Sequence, residues 1–95
     1  MDIKIEAMCG TLESNDLLVK VEPRNELEVV ISSVVMRQFG VRIRQVVDET
    51  LQRMEVTHGL FVIEDKGALD CTIQARVQTA VMRASECEEL DWSVL

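Results

Sequence analysis

Few residues in this 95-residue chain are of a kind that could do covalent chemistry. His58 is the single histidine, beside Gly59 in a stretch that reads as a loop. Its imidazole could act as a general base, but a base needs a nucleophile and an orienting partner, and no spacing supplies either. The plainer reading is a loop histidine. The three cysteines, Cys9, Cys71 and Cys87, lie too far apart for a zinc site, and none stands at ligand spacing from His58. They read as small apolar side chains. Glu64-Asp65 and the run from Glu86 to Glu89 gather carboxylates, a pattern of solvated surface or helix-end charge. There is no glycine-rich phosphate loop and no nucleophile elbow. Neither catalytic residues nor metal ligands are therefore expected. What stands out is the polar segment Gly10-Thr11-Leu12-Glu13-Ser14-Asn15-Asp16. From composition alone that segment is a hairpin loop whose Ser and Asp bond their own backbone.

The flanking elements must position this loop. Residues 2–9 alternate, with Ile3, Ile5, Ala7 and Cys9 on one face and Asp2, Lys4, Glu6 and Met8 on the other, which predicts a half-buried strand. Leu17, Val19 and Val21 predict a second strand over 17–22, and Leu27, Val29 and Ile31 a third over 26–32. Pro23-Arg24-Asn25 between them is a turn signal, so these two strands are expected to pair as a hairpin. Ser33 is a candidate N-cap. After it, Phe39, Ile43, Val46, Val47, Leu51 and Met54 recur at helical spacing. Gly40 sits inside that helix at a cost of about 1 kcal/mol relative to Ala. Past Gly59, the apolar run Leu60-Phe61-Val62-Ile63 suggests a strand buried on both faces or central in a sheet. Glu64-Asp65-Lys66-Gly67 reads as a turn. A second helix runs from about residue 68 to near Ser85, burying Leu69, Ile73, Val77, Ala80, Val81 and Ala84. The acidic tail, 86–95, is expected to be partly ordered at best.

The order is βββαβα, in one domain spanning 1–95. The expected architecture is an α+β two-layer sandwich: a mixed, mostly antiparallel four-stranded sheet with two helices on one face. The third strand, first helix and fourth strand make a candidate right-handed crossover. The other sheet face is left to solvent or to a partner. With Phe39, Phe61 and Trp92 as the only aromatic residues, the core must be aliphatic.

A net charge of −7 argues against nucleic acid as a partner, because binding phosphates requires a basic face. It also repels anionic lipid, and it suits docking on basic patches of other proteins. No stretch approaches the roughly 18 apolar residues of a membrane span. The odd cysteine count and the lack of a signal peptide point to a reducing cytoplasm.

The segment Gly10 to Asp16 resembles the G-T-L-E-S-x-D motif of citrate lyase acyl carrier proteins, the gamma subunits of that complex. Ser32-Ser33-Val34 followed by Gln38-Phe39-Gly40 resembles the family's S-S-V and Q-F-G. Asp65-Lys66-Gly67-Ala68-Leu69-Asp70-Cys71, Ala75-Arg76, Arg83-Ala84-Ser85 and a late Trp92 continue the likeness over nearly the whole chain. Asn15 stands where the family commonly has Gly or Ser, and Asn suits the same turn geometry.

The resemblance implies that Ser14 carries, through a phosphodiester, a phosphoribosyl-dephospho-coenzyme A prosthetic group ending in a pantetheine thiol. It implies a non-catalytic carrier of acetyl and citryl thioesters in citrate fermentation. The implied partners are the alpha (acyl transferase) and beta (citryl lyase) subunits, and a transferase that loads Ser14. Two other readings stay open: the carrier of a malonate decarboxylase-type complex, and an unmodified protein-interaction module. The D-K-G-A-L-D-C segment favours citrate lyase. An unloaded Ser14 loop is expected to be mobile, because polar residues have little core to pack against.

Overall fold

The apolar run at residues 60–63 occupies the middle of the sheet. The computed structural model describes residues 1–34 and 36–86, with the side chains of 36–39 excepted. Its elements are β1 (Ala7–Gly10), β2 (Leu17–Glu22), β3 (Leu27–Ser33), α1 (Met36–Arg53), β4 (Gly59–Asp65) and α2 (Asp70–Ala84). They form a four-stranded sheet in the order β1-β2-β4-β3. The expected βββαβα order and the mixed sheet are both present. The placement of Phe39 in the core, and the readings of Cys87, Trp92 and residues 87–95, fall outside the described residues.

The expected β2–β3 hairpin does not form. β4 lies between the two strands, antiparallel to β2 and parallel to β3. The reason is burial. β4 carries the longest unbroken apolar run of the four strands, Leu60 to Ile63, so it gains most from two neighbours. Phe61 and Ile63 are fully buried on the helix side, while Leu60 and Val62 are half-buried on the other. The Pro23–Glu26 connection therefore passes across the start of β4, where Gly59 N–H donates to Glu26 O at 3.0 Å. The parallel β3–β4 pair needs a crossover, and α1 provides it.

The first strand is shorter than its alternation predicts. Ile3 is buried but Ile5 is 43% exposed, and residues 1–6 leave the sheet. Two contacts divert them. Lys4 and Ile5 N–H both donate to Ala84 O, at 2.8 and 3.0 Å. That carbonyl is one of the helix-terminal acceptors with no partner inside α2. The terminal ammonium also donates to Met54 O and Glu55 O beyond the end of α1.

The core is aliphatic, as expected, with Phe61 the one fully buried aromatic side chain among the described residues. α1 contributes Ile43, Val46, Val47 and Leu51, and α2 contributes Ile73, Val77, Ala80, Val81 and Ala84. Leu69 departs from the expected stripe. It is the N-cap of α2, in extended conformation, and is 70% exposed. Ser33 is likewise not an N-cap but the last residue of β3.

Gly10 closes β1 at φ +100°, and a Cβ there would lie 1.9 Å from Leu17 O. Gly67 also has positive φ, but its Cβ would meet nothing nearer than Asn15 Oδ1 at 3.7 Å. Gly10→Ala should therefore lower the urea unfolding free energy by about 3 kcal/mol or more, from strain and clash together. Gly67→Ala should cost about 1 kcal/mol, from backbone strain alone. Equal losses at the two sites would contradict this account.

Candidate functional site: the Ser14 loop

Ser14 lies at the tip of the β1–β2 connection, with its side chain exposed. The loop beneath it is fastened, in contrast to the mobility expected from its polar composition. Thr11 Oγ1 donates to Asp16 Oδ2 at 2.8 Å and accepts from Glu13 N–H at 3.2 Å. Asp16 N–H donates to Glu13 O, and Leu17 N–H donates to Asp16 Oδ1. Asn15 takes the left-handed conformation, φ 64°, that lets the chain turn back. The loop thus engages the hydroxyl of Thr11 and leaves that of Ser14 facing outward.

Arg76 of α2 secures the loop from inside. Its Nε and Nη2 donate to the two carboxylate oxygens of Asp16 at 3.0 and 3.1 Å. This fork-to-fork geometry is the strong form of an ion pair. The hydrogen bond from Arg76 is the main reason why the Asp16 carboxyl is held at about 2, below its ordinary 3.8; bonds from Thr11 and Leu17 add to it, against a smaller opposing effect of burial. Asp16 in turn raises the Arg76 guanidinium.

The segment after β4 forms the loop's second support. The β2–β4 ladder continues past its ends: Lys66 N–H donates to Asp16 O at 2.9 Å, and Asn15 N–H donates to Lys66 O at 2.8 Å. The segment is held in turn by Asp65. That side chain, read above as solvated, is 1% exposed. Its Oδ2 accepts from Ser33 Oγ at 2.7 Å and from Gly67 N–H at 3.0 Å, while Oδ1 accepts from Ala68 N–H at 3.0 Å. The turn expected over residues 64–67 is thus present but starts later, since β4 runs on to Asp65, whose side chain bonds the backbone ahead. The partners Ser33 and Arg76 carry no such local signal.

Of the other chemically capable residues, Cys9 lies against Arg76. β4 is seven residues long, so His58 before it and the Ser14 loop beside its far end are separated by roughly 20 Å. Thr57 Oγ1 lies 3.5 Å from His58 Nδ1. Cys9 is buried in β1 and Cys71 is exposed in the first turn of α2. Among the described residues no three His, Cys, Asp or Glu side chains converge as metal ligands. No described helix is long and apolar enough to cross a membrane.

Asp65→Ala, which orphans three donors, should cost about 3 kcal/mol in denaturant unfolding, and Ser33→Ala about 1 kcal/mol. Asp16 has a depressed folded-state pKa, so its stabilisation is complete above its unfolded pKa, near pH 4, and is lost as pH falls toward 2. The stability gap between the native chain and Arg76→Gln should therefore shrink across that interval. A gap independent of pH from 2 to 6 would rule out the Asp16–Arg76 pair as its source.

Comparison with known proteins agrees with this arrangement. The family model described as ACP, malonate decarboxylase delta subunit (MdcD), matches residues 4–84. The citrate lyase acyl carrier protein of Enterobacter sp. (strain 638) is 57% identical over 98% of this chain and 97% of its own length. That of Vibrio cholerae serotype O1 (strain M66-2) is 55% identical over 100% of this chain and 99% of its own length. A chain in the crystal structure of a Pseudomonas malonate decarboxylase hetero-tetramer in complex with malonate superposes with a TM-score of 0.77. It covers 86% of each chain at 20% identity, a likeness of fold. The likeness to both carrier proteins runs from end to end, and the chain belongs to the citrate lyase acyl carrier protein family.

Proposed function

We propose that this chain is the acyl carrier subunit of a cytoplasmic citrate lyase complex, a single carrier domain over 1–95, with Ser14 as its attachment point. The observation that carries the proposal is the full-length 57% identity to a citrate lyase acyl carrier protein, read together with an exposed Ser14 on a fastened loop. The group to be attached is phosphoribosyl-dephospho-coenzyme A, through a phosphodiester to the Ser14 oxygen. The residues around Ser14 suit it. A phosphodiester would stand two residues from Asp16, whose negative charge is already met by Arg76, Thr11 and the Leu17 N–H. The serine side chain is free of the packing that fixes its neighbours.

When bound, the group supplies a pantetheine thiol for thioester exchange. The chain itself holds the anchor still and presents it to larger partners. Catalysis then falls to the alpha (acyl transferase) and beta (citryl lyase) subunits, which cleave citrate to acetate and oxaloacetate. A dedicated transferase loads Ser14. The carrier's contribution is to raise the local concentration of the acyl group at both active sites.

A malonate decarboxylase carrier is the second reading, supported by the description of the family model and by the structural neighbour. The identities, 57% against 20%, favour citrate lyase.

Protein isolated from cells with an active lyase should be heavier than its sequence by the mass of one prosthetic group, located on the peptide containing Ser14. Ser14→Ala should remain unmodified, retain its unfolding free energy within about 0.5 kcal/mol and give an inactive complex. A native chain of bare mass in an active complex would refute the proposal, as would an active complex assembled with Ser14→Ala.

A further inference from the structure

A groove of about 360 Å³ opens beside the Ser14 loop. Its walls are Ile43 of α1, Ala68 and Leu69 of the connection after β4, and Ile73 of α2. Gly67 belongs to the same lining and adjoins the loop: a Cβ on it would stand 3.7 Å from Asn15 Oδ1. The groove therefore begins next to the residue that follows Ser14. Arg42 stands on its rim, donating from Nε and Nη2 to Asp70 Oδ2 at 2.9 and 2.6 Å.

Leu69 at the lip has no structural reason to be leucine. It occupies the N-cap of α2 and makes no capping hydrogen bond, where Ser, Thr, Asp or Asn would each supply one. It leaves 70% of its surface in water. A large exposed leucine beside an apolar groove is the arrangement of a ligand site whose occupant completes the burial. The volume is near the lower end of the roughly 300–1,000 Å³ typical of small-molecule sites. It is large enough for one planar heterocycle with its sugar.

We propose that this groove seats the adenosine portion of the group on Ser14, an inference that rests on the loading of Ser14 proposed above. The connectivity selects that portion. Counting outward from the serine oxygen come the phosphodiester, the ribose and then the adenosine, with the thiol at the far end. The nucleoside is thus the apolar part that lies closest to the anchor. A purine has two π faces, which match the aliphatic walls of Ile43, Leu69 and Ile73. The Arg42 guanidinium on the rim can stack on the same ring. Asp70, which would repel the neighbouring phosphates, has its charge met by Arg42. With the base seated, only the diphosphate and pantetheine swing free, and the reach of the thiol is measured from Leu69 instead of from Ser14.

The test compares the full chain, loaded by its transferase and checked by intact mass, with the unloaded chain by NMR. The loaded chain should show nuclear Overhauser contacts from adenine H2 and H8 to the methyls of Leu69 and Ile73. It should also show amide shift changes at Ala68 and Leu69. Leu69→Glu, an exchange at an exposed position, should gain the same mass and lose those contacts. Shift changes that stop at residues 11–16 would overturn the groove assignment, as would methyl contacts from the pantetheine in place of the base. A chain that gains no mass would overturn the loading of Ser14 and the seat together.

Discussion

The carboxyl group of Asp65 has almost no contact with water, and a polar group so placed must be met by donors or it costs several kcal/mol. Much of the molecule's functional end follows from that requirement. One donor is the Ser33 hydroxyl, which draws the end of β3 against the end of β4. The other two are the N–H groups of Gly67 and Ala68, which turn the chain sharply away from the sheet. That turn aligns Lys66 to extend the ladder to Asn15 and Asp16, and it delivers the chain to the start of α2. Arg76, about two helical turns further on, then closes the structure back onto Asp16.

The result is a rigid seat under an exposed hydroxyl. For a carrier, this division of labour is economical in entropy. Order is confined to the protein surface, where a partner must recognise a fixed shape, and freedom is left to whatever is tethered there. If Ser14 is loaded as proposed, a loop that moved as freely as the arm would dilute the arm's effective concentration over a larger volume.

Elements set by local chemistry could be read from the sequence. The limits of β2, the presence of both helices and the apolar faces of Ile43 to Leu51 and of Ile73 to Ala84 follow from periodicity that neighbouring residues share. Pairing was less legible. The turn at Pro23 suggested a hairpin, because a local rule cannot see that a strand still to come has two apolar faces and will take the centre. The same limit hid the supports of Ser14. Its exposure was evident from a polar, turn-rich segment, but Asp16 and Arg76 are 60 positions apart and Ser33 and Asp65 are 32 apart. Single charged residues at such distances carry no periodic signal. Asp65 also sits beside Glu64, so the pair read as solvated acid, when the two alternate between opposite faces of β4.

The position of β4 bears on the order in which the chain can acquire its shape during synthesis. β1 and β2 can pair as soon as both have emerged, but β3 has no neighbour in the sheet other than β4. It must wait, with its ladder groups unpaired, until residue 65 has left the ribosome. The Ser14 loop waits longer still. It is made early, yet its clamp comes from Arg76 near the end of the described chain. An enzyme that recognises the folded loop would thus meet it only after Arg76 has emerged, and shorter chains would escape its attention.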